Sequence, residues 1–410
     1  MMRLRIKDFG PIKGGYTRND GWLDVRKVTV FIGNQGSGKS TVAKLISVLS
    51  WIEKAIVKGQ LKAKELRAYN RFSEHLSYQR IDNYVSESTE IEYEGRAYRF
   101  SYKNNVFTAE KHEVNGYLLP KIMYVPAERN FLGAIDRPDK LKNLPSPLFT
   151  FLDEYDHARN LYSKGIDLPF GNARFVYDSL NKIAHITSDD YTLCLSEASS
   201  GFQSTVPIYL VTKFLTESLG MANDPAVRPQ SIEEQRKLAR EIQKIINDPA
   251  LSEEVRQESL RQLSARYKPA CLINIVEEPE QNLFPVSQRI LLNSLLEFTN
   301  NNEGNKLIIT THSPYLINFL SIAIQGSVLY ESIKESNRAL ELTKKLEEVV
   351  PVKALLKAKD VAIYQMNEHN GTISKLTDYE GIPSDKNFLN QQIHQGNVLF
   401  DRLLEIEEEL

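Results

Sequence analysis

The chain has few cysteines, no long apolar run and almost no net charge, and each absence excludes a class of protein. Only two cysteines, Cys194 and Cys271, occur in 410 residues, and each lies in an apolar, strand-like run. We expect two core thiols rather than a disulfide framework, which predicts a reducing, cytoplasmic compartment. The formal net charge of −2 gives no whole-molecule attraction to nucleic acid, although it leaves room for a local basic patch.

Signals for membrane insertion or export are equally scarce. No apolar run approaches the roughly 20 residues that a membrane-spanning helix needs. The N-terminal sequence MMRLRIKDFG alternates charged with apolar residues and so lacks the continuous apolar segment of a signal peptide. Apolar residues make up 41% of the chain and charged residues 25%, which is ordinary for a globular protein of one large α/β domain with insertions, or of two domains.

The most specific motif is VTVFIGNQGSGKST, residues 28–41. Val28–Ile32 form an apolar strand, Gly33–Ser40 fit the pattern G-x-x-x-x-G-K-[ST], and helical periodicity follows. The glycines allow backbone torsions that point successive N–H groups at phosphate oxygens, and the helix N-terminus adds its positive dipole end. Lys39 is predicted to reach the β- and γ-phosphates, and the Ser40 hydroxyl to ligate Mg²⁺. We therefore predict a nucleoside triphosphate site formed by Asn34, Gln35, Gly36, Ser37, Gly38, Lys39, Ser40 and Thr41.

A second apolar run, INIVEEPEQNLF (273–284), ends in adjacent carboxylates. Glu277 and Glu278 would repel each other and lose hydration at the mouth of a buried strand, unless a cation or a polarised water lies beside them. Next to a phosphate loop, such a strand holds Mg²⁺ and orients the attacking water. We predict that Glu277 lies on the metal side, through a bound water, and that Glu278 is the general base. For this stretch alone, a strand that runs into a solvated turn is the alternative.

Two further stretches carry polar residues typical of a nucleotide site. LIITTHSP (307–314) is an apolar strand followed by His312, which is predicted to contact the γ-phosphate or the attacking water. Neighbouring parallel strands end at the same edge, so His312 is expected close to the acids. EASSGFQSTVPIYLVTKFLTESLG (197–220) places Ser199, Ser200 and Gly201 at a helix start, where free N–H groups bind anions. Ordinary helix capping is the alternative for the serines, and a structural or exposed role for the histidine.

In their order along the chain, these motifs resemble those of the ABC-type ATPases, in the soluble branch linked to DNA repair and chromosome maintenance. Ser199–Gln203 resembles the signature motif LSGGQ, diverged at its first and fourth positions. EEPEQNLFP resembles DEPExxLHP, with glutamate at the first position and Phe284 in place of histidine, and TTHSP matches the switch-histidine motif. LRIKDFGPIKG resembles the first strand of this group, and MYVPAERNFL (123–132) resembles a segment of small bacterial defence-type ATPases.

The resemblance implies a fold and a mode of assembly. The fold is an α/β P-loop NTPase of ABC-ATPase type, with a mostly parallel core sheet, an antiparallel accessory sheet and a helical insertion. The assembly is an ATP sandwich, in which Ser200 and the amide of Gly201 touch the γ-phosphate bound by the opposite subunit. Association would then depend on ATP and end with hydrolysis. ATP and Mg²⁺ are the implied cofactors, and the implied partner is the chain itself, in a homodimer or in a larger assembly of such dimers.

The segments between the motifs suggest a head followed by an extension. Residues 1–330 are predicted to form the ATPase head, and residues 331–410 a C-terminal α/β extension with one strand at VAIYQMN (361–367). The extension carries no D-x-D, zinc-ligand spacing or H-N-H cluster, so no fused nuclease is expected. Arg129, after VPAE, is a candidate nucleotide-site or interface residue. Within the head we expect a basic helical insertion at 51–82, accessory strands at 89–118, irregular structure at 136–172 and a helical hairpin at 231–268.

Three biological roles are compatible with such an ATPase. The chain resembles the ATPase subunits of bacterial anti-phage systems such as Septu and PARIS, which implies a sensor or scaffold that controls a separate effector, a nuclease or toxin. A DNA-repair ATPase that clamps duplex DNA is the alternative, favoured by the cations and aromatic residues of the 51–82 stretch. A transporter ATPase is disfavoured by the diverged signature motif and by the EPE sequence of the soluble branch.

Overall fold

The computed structural model describes residues 2–68, 71–113, 116–220, 243 and 268–408. Apart from residues 243 and 268, the helical hairpin predicted for 231–268 lies outside the described residues. The strands are β1 (Met2–Lys7), β2 (Gly15–Tyr16), β3 (Leu23–Val25), β4 (Val28–Gly33), β5 (Glu90–Glu94), β6 (Tyr98–Lys103), β7 (Val106–Lys111), β8 (Pro120–Val125), β9 (Ile166–Asp167), β10 (Arg174–Asp178), β11 (Ile183–Thr187), β12 (Thr192–Cys194), β13 (Cys271–Glu277), β14 (Lys306–Thr311), β15 (Val361–Met366), β16 (Thr372–Lys375), β17 (Asp378–Tyr379) and β18 (Ile382–Pro383). The α-helices are α1 (Lys39–Val57), α2 (Arg71–Ser77), α3 (Asn130–Gly133), α4 (Ser146–Leu161), α5 (Ser200–Gly220), α6 (Pro285–Asn300), α7 (Pro314–Lys334), α8 (Ala339–Val349) and α9 (Phe388–Glu408).

The central sheet has seven strands in the order β2-β16-β15-β4-β14-β13-β8. Strands β15, β4, β14, β13 and β8 run parallel to one another, and β16 is antiparallel to β15. The strands predicted from VTVFI, INIVE and LIITT are therefore neighbours, with β14 between β4 and β13. Their carboxyl ends lie at one edge of the sheet, as the sequence predicted.

Alternate residues of the central strands face two separate cores. In β4, Val30 packs with the cluster that includes α4, α5, α6 and α7, whereas Phe31 packs on the other side with α1 and the accessory sheet. Strand β14 repeats the pattern, with Ile309 on the first side and Ile308 on the second. Burial on both faces explains why these strands read as continuous apolar runs rather than as alternating ones.

Two antiparallel sheets flank the central one. The first has the order β3-β1-β5-β6-β7, so the accessory strands predicted for 89–118 pair with the predicted first strand. The second has the order β12-β11-β10-β9, and no pattern in the sequence analysis indicated it. Its strands are short, from two to five residues, which leaves few residues to show an alternating pattern.

The prediction of irregular structure for residues 136–172 is wrong over its central part. Helix α4 occupies residues 146–161, and its side chains Phe151 and Tyr155 are fully buried in the larger core. Two of the prolines that indicated a loop are Pro145, the N-cap residue, and Pro147, in the first turn of the helix. Proline is tolerated there because the first N–H groups of a helix have no intrahelical partner.

The basic segment 51–82 is only partly an insertion. Residues 51–57 are the last turns of α1, and α2 with two short 3₁₀ helices forms the rest that is described. Phe72 is buried in the second core, and its ring lies 4.9 Å from that of Phe107. Tyr69, one of the aromatic residues considered for this surface, lies outside the described residues.

The C-terminal segment is joined to the head through its sheet. The boundary predicted near residue 330 falls inside α7, and β15 is hydrogen-bonded to the phosphate-loop strand β4. Of the described residues, only α7 has the length and apolar composition of a membrane-spanning helix. It contributes Leu316, Ile317, Leu320, Ala323, Ile324 and Ile333 to the protein's own core.

The two cysteines differ in their surroundings. Cys271 is buried at the start of β13, as predicted, and burial raises the pKa of its thiol to about 11. Cys194 is only half-buried at the end of β12, so the prediction of a core position is wrong for this residue. Its strand has two exposed residues before it, because the edge strand of the small sheet faces solvent. Both thiols are free.

Helix α4 offers a matched test of the core. We expect Phe151→Ala to lower the free energy of unfolding by about 3–5 kcal/mol, because it leaves a cavity among packed side chains. Phe149→Ala, on the same helix but 61% exposed, should change the free energy by less than about 0.5 kcal/mol. Urea denaturation followed by circular dichroism measures both. Equal effects would contradict the placement of α4.

Candidate functional site

The phosphate loop, Gly33–Gly38, connects β4 to α1 in a conformation that depends on glycine. Gly33, Gly36 and Gly38 all have positive φ angles, of 151°, 74° and 94°. A Cβ at Gly33 would lie 2.4 Å from the carbonyl oxygen of Met366 in the neighbouring strand β15. A Cβ at Gly38 would lie 2.4 Å from the Ile12 side chain. The predicted glycines are therefore required, because a Cβ would strain the backbone at all three positions and would clash with neighbouring atoms at Gly33 and Gly38.

The Lys39 side chain is folded over this loop. Its Nζ donates hydrogen bonds to the carbonyl oxygens of Gly33 (2.9 Å) and Asn34 (2.8 Å). Burial lowers the pKa of Lys39 to about 8, although the nearby carboxylates, Glu278 first, act in the opposite direction. A buried cation that is held by loop carbonyls and has a lowered pKa is a group that an entering phosphate would stabilise.

The remaining residues of the predicted loop are partly exposed and partly buried. Asn34, Gln35, Gly36 and Ser40 are exposed, whereas Ser37 and Thr41 are buried. The Asn34 side chain donates to Glu368, which follows β15, at 3.0 Å. No sequence pattern singled out Glu368, although it follows the predicted strand directly.

Glu277 ends β13 with a buried carboxylate. The residue is 5% exposed, and its Oε1 atom has no hydrogen-bond partner among the described residues. Its Oε2 accepts a long hydrogen bond, 3.4 Å, from the amide of Ala127. A carboxylate oxygen that has lost its hydration without gaining a donor is the kind of ligand that a hard cation uses. Ser40, the other residue predicted to hold Mg²⁺, is exposed at the start of α1.

Glu278 and His312 are brought together, as the sequence predicted. Nε2 of His312 lies 3.3 Å from Oε1 of Glu278. The hydrogen bond with His312 holds the pKa of Glu278 below its usual value, and the charges of Lys39 and Arg129 act in the same direction. The carboxylate is thus ionised at neutral pH, as a base that orients water must be.

The main chain of Glu278 is in the left-handed region, with φ of 42°. Such a conformation is uncommon for a residue with a Cβ and costs energy that the surroundings must supply. Its amide donates to the carbonyl oxygen of Thr310 at 2.9 Å, which ties it to β14.

Glu280, to which the sequence analysis gave no role, orients the segment that carries His312. Its Oε1 accepts hydrogen bonds from the Thr311 hydroxyl (2.8 Å) and from the amide of His312 (2.7 Å). Burial raises the pKa of Glu280, and its second oxygen, Oε2, is buried without a partner. The third acid of EEPE therefore links the acidic turn to the histidine turn.

Arg129, predicted as a nucleotide-site or interface residue, is not exposed, which corrects the interface alternative; it lies against the main chain of the acidic turn. Its guanidinium is fully buried and donates to main-chain carbonyl oxygens, including those of Glu277 and Glu278. Burial lowers the pKa of Arg129 to about 10, so the group remains charged at neutral pH. Sequence alone did not show this, because the contact joins residues about 150 positions apart.

The start of helix α5 lies beside the acidic turn, with its serines open to solvent. Ser199 and Ser200 are exposed, and a Cβ on Gly201 would lie 3.3 Å from the carbonyl oxygen of Asn282. The Asn282 side chain also donates to Ser204 Oγ at 2.9 Å. The structure therefore fixes this helix start against the turn after β13, which lies two strands from the phosphate loop.

The parallel strand order, the glycine loop and the acids at the sheet edge are those of a P-loop NTPase fold. Residues 255–317 match the AAA ATPase domain family. This match, which covers β13, α6 and β14, supports an ATPase that binds ATP. Comparison with curated proteins gives no significant match.

Several solved structures are similar to this chain at low identity. One is the SMC head domain from Thermotoga maritima, with 11% identity, a TM-score of 0.37, and coverage of 92% of this chain and 98% of that chain. Another is an SMC head domain with an extended coiled coil bound to the C-terminal domain of ScpA, from Pyrococcus furiosus, with 11% identity, a TM-score of 0.36, and coverage of 92% and 96%. A dimeric bacterial ABC transporter cassette has 13% identity, a TM-score of 0.24, and coverage of 78% and 91%. The fold assignment rests on this chain's own strand order and phosphate loop.

The lowered pKa of Lys39 predicts a pH-dependent affinity for nucleotide. Phosphate charges stabilise the ammonium form, so the pKa of Lys39 should be higher in the complex than its value of about 8 in the free protein. The Kd for ATP should therefore be constant well below pH 8 and weaken as the pH rises from about 8 to the pKa of the complex. Titration with a fluorescent ATP analogue between about pH 7.5 and 9.5 measures this.

The matched control for this prediction is Lys39→Arg. A guanidinium stays charged over the whole range, so the weaker Kd expected of that variant should not depend on pH. A wild-type affinity that is constant up to pH 9.5 would contradict the role of Lys39 as a proton-linked phosphate ligand.

Proposed function

We propose that the chain is a cytoplasmic ATPase that hydrolyses ATP with Mg²⁺ between two copies of itself. The observation that carries this proposal is the Glu278–His312 pair, which lies at the same sheet edge as the phosphate loop. An ionised carboxylate at that position can accept a proton from water as it attacks the γ-phosphate. His312 orients the carboxylate and offers a donor to the phosphate.

The metal fits the donors that the chain provides. Ser40 at the start of α1 and the unpaired oxygen of Glu277 are the residues that would hold Mg²⁺. When bound, Mg²⁺ neutralises charge on the β- and γ-phosphates. Its presence would also offset the repulsion between the triphosphate and the acids of the EEPE turn.

Assembly around the nucleotide is supported by the position of α5. Its first N–H groups and the exposed Ser200 hydroxyl form an anion-binding helix end. Within one chain, this end lies next to the turn after β13, and no hydrogen bond among the described residues joins Ser199–Gln203 to the phosphate loop. A second copy can therefore bring its own α5 to the γ-phosphate, as the LSGGQ-like sequence implies.

Two variants test the sandwich. Glu278→Gln should bind ATP, lose hydrolysis and form a dimer with ATP but not with ADP, because the γ-phosphate joins the two copies. Adding Ser200→Glu should return the protein to the monomer, since a carboxylate at the helix end repels the triphosphate. Light scattering after size-exclusion chromatography measures the mass, and equilibrium titration measures the ATP affinity.

The control for this test is Glu278→Gln combined with Ser332→Glu, which places the same charge at an exposed position of α7. This protein should dimerise like Glu278→Gln alone. Lys39→Ala should bind no nucleotide and remain a monomer. A dimer that survives Ser200→Glu, or that forms equally with ADP, would disprove the sandwich and leave a stand-alone nucleotide binder.

For the biological role, we propose control of a separate effector, a nuclease or toxin, in bacterial anti-phage defence. The support is the resemblance to Septu- and PARIS-type ATPase subunits, for which MYVPAERNFL is the segment typical of small bacterial defence-type ATPases. A nucleotide-dependent assembly suits such a sensor because ATP binding and hydrolysis give two states with different surfaces.

A pull-down from the native host tests this role. Tagged Glu278→Gln with ATP should retain a protein encoded by a neighbouring gene, in a fixed ratio, whereas Lys39→Ala should retain less or none. The captured protein should be toxic when expressed alone and silent when co-expressed with the ATPase. Failure of every neighbouring gene product to bind either variant would contradict the effector model.

A DNA clamp is less well supported. Lys62, Lys64 and Arg67 are exposed, as that alternative requires. However, Lys62 lies 3.7 Å from Glu65, an acid of the same segment. The buried ring of Phe72 is also unable to stack on a base.

A further inference from the structure

Among the described residues, Arg129 is the largest side chain that is fully buried. Its guanidinium donates hydrogen bonds to main-chain oxygens. Nη1 donates to the carbonyl oxygens of Pro126 (3.1 Å) and Glu277 (2.6 Å), and Nη2 donates to that of Glu278 (2.7 Å). A buried guanidinium is costly unless acids nearby balance its charge. Glu280, Glu277 and Glu278 supply that balance, since the charge of each acts to raise the pKa of Arg129.

These hydrogen bonds hold the strained main chain at Glu278. Glu278 has a left-handed φ of 42°, so its conformation must be imposed by neighbours. Its amide donates to Thr310 on one side, and its carbonyl oxygen accepts from Arg129 on the other. The arginine therefore contacts both peptide units that flank the Glu278 side chain, and β14 also holds the first of them.

The segment that carries Arg129 is itself rigidly placed. Arg129 immediately precedes α3, whose Gly133 packs on the main chain of Gln203 in α5. A Cβ on Gly133 would lie only 2.3 Å from the Gln203 carbonyl oxygen, so the two backbones are in direct contact. Pro207, four residues after Gln203, has no N–H to offer that carbonyl, which leaves it free to face α3.

We propose that Arg129 is a positioning residue for ATP hydrolysis, whose guanidinium holds the main chain of Glu277 and Glu278 so that the Glu278 carboxylate faces His312 and the phosphate loop. The inference rests on the ATPase function proposed above. Arg129 touches neither nucleotide nor water in this role, and it acts through Glu278. Misplacing a catalytic group by about 1 Å can lower a rate by about 100-fold, so a main-chain anchor suffices to control the reaction.

The variant that separates positioning from charge is Arg129→Lys. An ammonium group keeps the charge and can reach the acceptors of Nη1, but a single nitrogen cannot also replace Nη2 at Glu278. We expect kcat to fall by about 10- to 100-fold, with the Kd for ATP unchanged within about threefold. In the Glu278→Gln background, the same substitution should change the residual rate by less than about twofold, because the group it positions has already been removed.

Arg159→Lys is the matched control. Arg159 is a second buried arginine, on α4, which pairs with Asp156 and lies over the rings of Tyr155 and Tyr177. Its replacement should lower the melting temperature and leave kcat unchanged. Both arginine variants are compared by thermal unfolding, ATP titration and phosphate release.

Three results would overturn the positioning role. They are a wild-type kcat in Arg129→Lys, an equal fold-loss with and without Glu278, and a loss of ATP affinity that accounts for the loss of rate.

If Arg129→Lys does not fold, Arg129→Gln, whose amide can still donate two hydrogen bonds, takes its place. If neither folds, Arg129 is a folding requirement and the proposal fails. A wild-type protein without ATPase activity would instead refute the proposed function, and thermal unfolding would still report the structural effect of both variants.

Discussion

The parallel alignment of β15, β4, β14 and β13 is the constraint on which the candidate site depends. Parallel strands begin at one edge of a sheet and end at the other, so residues that follow each strand meet whatever their distance along the chain. The phosphate loop follows β4, the acids end and follow β13, His312 follows β14 and Glu368 follows β15. A single edge therefore gathers Lys39 and the carboxylates of Glu277, Glu278, Glu280 and Glu368 from distant parts of the sequence.

Bringing these like charges together is unfavourable, and neighbouring groups in the site reduce the repulsion only in part. Lys39 is buried and its pKa is lowered, while Glu278 is paired with His312 and its pKa is also lowered. Glu277 retains an unpaired oxygen and Glu280 another. The site without ligand is therefore incompletely neutralised, and adding a triphosphate alone would increase the repulsion. Under the proposed function, a divalent cation bound with the triphosphate would supply positive charge beside the phosphates and the unpaired oxygen of Glu277.

The sequence predicted the parts of this site that depend on local pattern. The loop, the three apolar strands and the switch-type histidine were recognised because a strand, a glycine pattern and a helix follow one another within a few residues. Helix α4 was missed because Pro145 and Pro147 indicate a loop unless the helix start is known. The small sheet from β9 to β12 was missed because its strands are too short for a period to be seen. The burial of Arg129 was not predicted, since burial is a property of the folded chain and not of the residue type.

The contacts that position the acids at the carboxyl edge of the central sheet also connect them to α5, the helix proposed to contact a second copy. The acidic turn touches α5 through the Asn282–Ser204 hydrogen bond, and the Arg129 segment touches it through Gly133 and Gln203. Ser199 and Ser200, one turn away, remain open to solvent. A shift of the carboxylates after hydrolysis would therefore be transmitted to the surface that holds the partner's phosphate, because closely packed backbones cannot absorb it. Under the proposed sandwich, loss of the γ-phosphate at one site would weaken the contact that the same chain makes, through α5, with the nucleotide at the other site.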